Sequence, residues 1–156
     1  MERVVVRGIS HDRASVIMAL VGVPRSSKVP TQVVTQLAER DIQVKSFFHG
    51  APGRERVDLF FVISQGDLDG ARAVIEGCLR RLKGARLSVN QRIGSVSLVG
   101  SGVGSEGAII SKMLATLAKL RIHVEGMATS EVKVTCFLER SAVERAVLEL
   151  HKTFIG

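Results

Sequence analysis

Arg121-Ile-His-Val-Glu125-Gly-Met-Ala-Thr-Ser130-Glu-Val-Lys-Val-Thr135-Cys-Phe-Leu138 holds two strand-like runs, 121–127 and 132–138, only four residues apart. A parallel crossover needs a dozen or more residues, so these two strands must be antiparallel. That decides the reading of the glycine run just upstream. Gly102-Val-Gly104-Ser-Glu-Gly107 follows a strand and opens a helix, and Glu125 lies near where a dinucleotide fold carries its ribose acid. With an antiparallel pair next, and only about 50 residues after the motif, a doubly wound sheet is excluded. The glycine run reads instead as a β-α loop whose backbone amides face a small ligand or a neighbouring chain, and no cofactor is expected.

Working outward, a strand at 95–100 precedes the glycine turn, and a helix at 106–120 points Ile110, Met113, Leu114 and Leu117 inward. After the strand pair comes a helix at 141–154 bearing Val143, Val147, Leu150 and Phe154. The fourth strand that this β-α-β-β-α order calls for is missing, which would leave an open edge. An earlier and similar pass is complete. It has a strand at 14–22, a helix at 30–40, a strand at 41–50, a turn at Gly50-Ala51-Pro52-Gly53 and a strand at 57–64. Gln65-Gly66-Asp67 then leads into a helix carrying Leu68, Ala71, Val74, Ile75, Cys78, Leu79 and Leu82, stopped by Gly84, and a strand at 86–90 closes the unit. The strand at 3–10 has no place in that unit, so it is expected to cross over and complete the other. The fold class expected is α+β: two ferredoxin-like βαββαβ units with antiparallel sheets, residues 13–92 inserted between 1–12 and 93–156.

Composition agrees with a globular chain. Of 156 residues 46% are hydrophobic and 24% charged, enough for one core or two small ones. No apolar run reaches membrane-spanning length, and the N-terminus has no signal-peptide pattern. Cys78 and Cys136 are too few for a disulfide framework and lie in no zinc-binding spacing. Reduced thiols and a cytoplasmic location are expected, with no membrane partner. The net charge of +7 is uneven: residues 13–92 carry 13 bases against 7 acids, residues 93–156 carry 7 against 6. Such an excess suits a polyanion if it is gathered on one surface, and otherwise reads as a solvated face around Arg80, Arg81 and Lys83.

Catalytic constellations are missing. His11, His49, His123 and His151 are scattered, with no glycine-elbow serine and no carboxylate cluster for magnesium. An RNA-recognition module would need stacking aromatics on its central strands. Here there is neither Trp nor Tyr, and the neighbours Phe60 and Phe61 point to opposite faces of one strand, at least one into the core. Neither an enzyme nor a nucleic-acid partner is expected, and an RNA-binding protein stands as the least favoured alternative.

Four segments carry a family resemblance: Val21-Gly-Val-Pro24, Ser95-Val-Ser-Leu-Val-Gly-Ser-Gly102, Ile122 to Val134 with Thr129-Ser130-Glu131, and Ala146-Val-Leu-Glu-Leu-His-Lys-Thr-Phe154. Together they resemble the tandem ACT domains that form the regulatory half of aspartate kinase, a family in which one ACT unit is inserted in the other. The resemblance implies a non-catalytic sensor of lysine or threonine in aspartate-family amino-acid biosynthesis. It would act on an aspartate kinase catalytic chain and pair with a second copy through its ACT units. Met1-Glu2 suits a separately made subunit; an excised fragment is the other form. An effector-free dimerisation module is the alternative within the same resemblance.

The family's effector positions fall on Arg25, Ser26, Ser27, Lys28, Pro30, Ile42, Gln43 and His49 in the first unit, and on Ile110 and Ser130 in the second. Where the family has Asp-x-Pro-Gly, this chain has Arg25-Ser26-Ser27-Lys28. Gln43 replaces an Asn, Lys45 an acid, and His49-Gly50 a Gln-Asn pair. In the second unit Gly107-Ala108 replace Pro-Gly, Ile110 a small residue and His123 an Asn, while Thr129, Ser130 and Glu131 are kept. Like charges about 4 Å apart repel by about 1 kcal/mol in water and about 4 at a half-buried surface, about ten- to a thousand-fold in affinity. Lysine is therefore expected to bind the first unit poorly.

Overall fold

A computed structural model describes residues 3–50 and 55–156, so most of the turn expected at 50–53 lies outside the described residues. The chain divides into two units, Ala14–Gln91 and Met1–Arg13 with Arg92–Gly156. Both boundaries fall inside strands.

The unit Ala14–Gln91 runs from β1 (Gly8–Pro24) through α1 (Lys28–Glu39), β2 (Ser46–Gly50), β3 (Arg56–Ser64), a 3-10 turn at Gln65–Asp67 and α2 (Leu68–Leu79) into β4 (Arg86–Val99). Its strand order is β2-β3-β1-β4. Leu20 stands opposite Leu59 and Phe48 opposite Phe60, both in antiparallel pairs. Val29, Val33 and Leu37 form a buried stripe on α1, and Leu68, Ala71, Val74, Ile75 and Cys78 one on α2. Alternate strand residues Val16, Met18, Leu20, Leu59, Phe61 and Ile63 meet these stripes in one apolar cluster.

The other unit follows β4 with a 3-10 turn at Val103–Ser105, α3 (Gly107–Lys119), β5 (Val124–Ser130), β6 (Lys133–Glu139), a 3-10 turn at Arg140–Ala142 and α4 (Val143–Phe154). Its order is β5-β6-β4-β1. The β5–β6 pair is antiparallel, as the short connection between them requires. The N-terminal residues lie beside β4: Arg7 N–H donates to Val99 O at 2.7 Å. Val6 is buried with Val96 and Leu98, and Val4 and Ile9 pack against the same cluster. Gly94 lies against Asp12 O, which fixes the two strands as antiparallel. On the sheet face away from the helices, Ser97 and Thr135 are both buried and satisfy each other through a 2.7 Å hydrogen bond.

The structure differs from the sequence reading at element ends. Residues 41–45 and 121–123 are not strand. Asp41 and Arg121 take left-handed conformations with φ 56° and 58°. Behind them Ile42 N–H and Ile122 N–H donate to Leu37 O and Leu117 O, closing the helices. The helix expected through Leu82 ends at Leu79 and continues as i→i+3 turns. The polar stretches near residues 10–14 and 90–95, read as breaks, are extended backbone within β1 and β4.

These matches expose an internal repeat. Val16, Gly22, Leu37, Asp41 and Ile42 correspond to Val96, Gly102, Leu117, Arg121 and Ile122, a spacing of 80 residues. From β3 and β6 onward the spacing becomes 75, as in Ala71 with Ala146 and Ile75 with Leu150. The difference lies in the β2–β3 hairpin, which is five residues longer than the β5–β6 one.

The two cysteines differ in environment. Cys136 lies in the core, its Sγ 3.9 Å from Met113 Sδ, and burial pushes its thiol up to about 12. Burial also raises the Cys78 thiol, with Arg81 opposing. The folded chain keeps Cys136 protonated where the unfolded chain ionises it. Its stabilising contribution is therefore full below about pH 9 and is lost as pH rises toward about 12. Alkylation with iodoacetamide at pH 8.5 is expected to modify Cys78 slowly and Cys136 only on denaturation, read by intact mass. Labelling of Cys136 at the same rate as Cys78 would contradict this packing.

Candidate functional site

The β1–α1 loop is held at both ends by groups distant in sequence. At the β1 bulge Gly22 takes φ 73°, a conformation that glycine adopts without strain. Its N–H donates to Asp58 Oδ1 at 2.8 Å, and its carbonyl accepts from Arg56 Nη1 at 2.7 Å. The same guanidinium donates to Lys83 O at 3.2 Å, tying the turn after α2 to this corner. Further on, Arg25 N–H donates to Glu55 O at 2.7 Å. Ser26 Oγ accepts from Lys28 N–H at 3.2 Å, and Thr31 Oγ1 donates to Ser27 O at 2.7 Å. Arg25, Ser26, Ser27 and Lys28 are exposed on this loop and the first turn of α1, with Pro30 half-buried beside them.

Strand register places His49 at the same end, because Gly50 is opposite Asp58 and Pro24 opposite Arg56. Ile42 and Gln43 lie at the far end of α1, about 18 Å from its start for a helix of 12 residues. The side chain of Ile42 is spent in the core beside Gly70, and Gln43 faces solvent. Ile110 and Ser130 belong to the other unit, on the first turn of α3 and at the end of β5. There the position equivalent to Pro24 is packed down: Gly104 sits against Ser130 O and near Lys133 O, with no room for a Cβ. Of the ten residues expected at effector positions, six gather at one end of the unit Ala14–Gln91. Two lie at its opposite end, and two lie at the corresponding end of the other unit.

Sequence reasoning missed how many other cations reach the same end. Arg56 opens β3, Arg80, Arg81 and Lys83 follow α2, and Arg86 opens β4. In a βαββαβ order the C-terminus of the second helix meets the N-terminus of the first, so the charge excess combined with topology held the signal. A cleft of about 250 Å³ opens between the helices there, lined by Gln32, Gln36, Gly77, Cys78, Arg80 and Arg81. Among the described residues no group of three or more His, Cys, Asp or Glu could hold a metal ion, and no helix is long and apolar enough to cross a membrane.

The family model for the ACT domain matches residues 96–154. An aspartate kinase from Pseudomonas putida is 28% identical over 154 residues, covering 99% of this chain but 38% of its own length. The chain thus spans well under half of the curated kinase it matches. The ligand-free regulatory subunit of aspartate kinase from Thermus thermophilus superposes with a TM-score of 0.87 at 28% identity, over 96% of this chain and 98% of that one. A structure of aspartokinase alpha and beta subunits matches with a TM-score of 0.84 at 25% identity, over 97% and 99%. The similarity to that regulatory subunit runs nearly end to end along both chains. The family match in one unit, the strand order repeated in the other and the full-length similarity lead to one conclusion: residues 96–154 match the ACT domain, and the chain as a whole is similar to the regulatory subunit of aspartate kinase.

Proposed function

We propose that this chain regulates an aspartate kinase, associating with its catalytic chain in the cytoplasm and working as a pair of ACT-bearing copies. The observation that carries the reading is the end-to-end match with a regulatory subunit, 96% of this chain against 98% of that one. The effector chemistry is altered in the unit Ala14–Gln91. Arg25 and Lys28 stand on the loop where an amino-acid ligand's ammonium would lie, so lysine is a poor ligand here. In the other unit the replacement of the family's Pro-Gly by Gly107-Ala108 and of its small residue by Ile110 favours a second reading for that half, an assembly role without effector.

Two measurements test this. A tagged copy expressed in the native host should bring down an aspartate kinase catalytic chain, and recovery of the chain alone refutes the regulatory reading. Titration calorimetry at millimolar lysine should give no heat, and saturable heat from lysine refutes the assignment of the altered loop. Threonine serves as the parallel arm, with heat from it alone favouring a sensor over a pure assembly module.

A further inference from the structure

Seven exposed cations converge on one end of the unit Ala14–Gln91, and their placement runs against local helix chemistry. Arg25 and Lys28 flank the N-terminus of α1, where the helix dipole disfavours positive charge, and the first turn holds no acid to offset them. Arg80 and Arg81 suit the C-terminus of α2 by the same rule, but Lys83, Arg86 and Arg56 are not explained by it. Arg56 is fixed over Gly22 O and Lys83 O, which anchors the centre of the group. Among the described residues none of the seven is in an ion pair. The acids nearby are Glu55, Asp58 and Glu76, the last one turn before Arg80 on α2, and Asp58 is engaged by Gly22 N–H.

We infer that this end, centred on the cleft between α1 and α2, binds a triphosphate chain, either inorganic or borne by a nucleotide. Five of the seven cations are arginines, whose forked donors match phosphate oxygens two at a time. The surface is concave rather than flat, and the 250 Å³ cleft adds the amide donors of Gln32 and Gln36 to Arg80 and Arg81. Gly77 leaves its wall open, with no atom within 4 Å of where a Cβ would be. The site stands whether or not the chain joins a kinase, since it is built wholly from one unit of this chain.

Binding of tripolyphosphate and of ATP to the intact chain, measured by calorimetry at about 50 mM salt, tests the site. Saturable binding is expected, weakening log-linearly with salt. R80E/R81E should weaken it at least tenfold. R121E/K133E, which makes the same charge change in the other unit, should stay within twofold of the parent, with circular dichroism confirming the fold of both. Equal affinity for the two probes assigns the site to the inorganic chain, and tighter ATP binding assigns it to a nucleotide. Three results overturn the inference. One is the absence of binding below 1 mM, and another is equal weakening by both double variants. The third is R80E/R81E losing capture of a kinase catalytic chain with phosphate affinity unchanged, which would make this end a protein-docking face.

Discussion

Replacing Gly104 by alanine is expected to lower stability by about 3 kcal/mol, at the upper end of the usual cost of overpacking. A Cβ there would overlap Ser130 O and lie 3.0 Å from Lys133 O. Both obstacles are backbone, and both belong to the β5–β6 hairpin, where Ser130 is paired with Lys133. Neither can swing aside as a long side chain would, so the 3-10 turn or the hairpin must shift as a whole. For a chain of this length the loss corresponds to a fall in Tm of about 6–12 °C. G107A is the control, since nothing lies within 4 Å of its new Cβ, and it should melt near the parent. A melt of G104A within 2 °C of the parent would show that this turn is not seated as described.

The second large effect concerns the N-terminal segment, whose residues 3–7, expected as strand, precede β1 and lie beside β4 without being strand themselves. Deleting residues 1–9 removes Val6 from the cluster with Val96 and Leu98, strips the packing of Val4 and Ile9, and breaks the Arg7–Val99 hydrogen bond. Full burial of one valine contributes about 1.5–3 kcal/mol and a net hydrogen bond about 1. With the partly buried neighbours the total reaches about 5 kcal/mol, comparable to the whole stability of a small domain. Hydrogen exchange should show amides of β5 and β6 losing protection, while those of Met18, Leu20, Leu59 and Phe61 remain slow. Retained protection throughout would mean that the segment is dispensable to its unit.

The fold class was legible because two constraints in the sequence admit few solutions. Four residues between two strands force antiparallel pairing, and a unit lacking its last strand in a chain with a spare first strand suggests the exchange. Helix faces were legible from spacing, as Val29, Val33 and Leu37 show. Helix ends were not. Alternation in Ile42-Gln43-Val44 looks like a strand, but a left-handed residue and a backbone bond to Leu37 O give Ile42 to the helix terminus. The candidate site was legible in the loop Arg25–Lys28 and hidden elsewhere, because bases at positions 56, 80, 81 and 86 meet only through strand order. The unbroken lengths of β1 and β4 were missed for the opposite reason: their polar middles lack the apolar alternation that marks a strand, and backbone pairing between neighbouring strands supplies what side chains do not signal.

The constant 80-residue spacing from Gly22 and Gly102 to Ile42 and Ile122 makes the molecule its own ruler. Two copies of one architecture keep their corners in step, yet one copy carries a cationic rim and the other a plugged turn. Divergence has therefore worked on furnishings and spared the frame. A chimera exchanging 23–28 for 103–108 needs no realignment, and sets the two histories of this duplicated body side by side in a single chain.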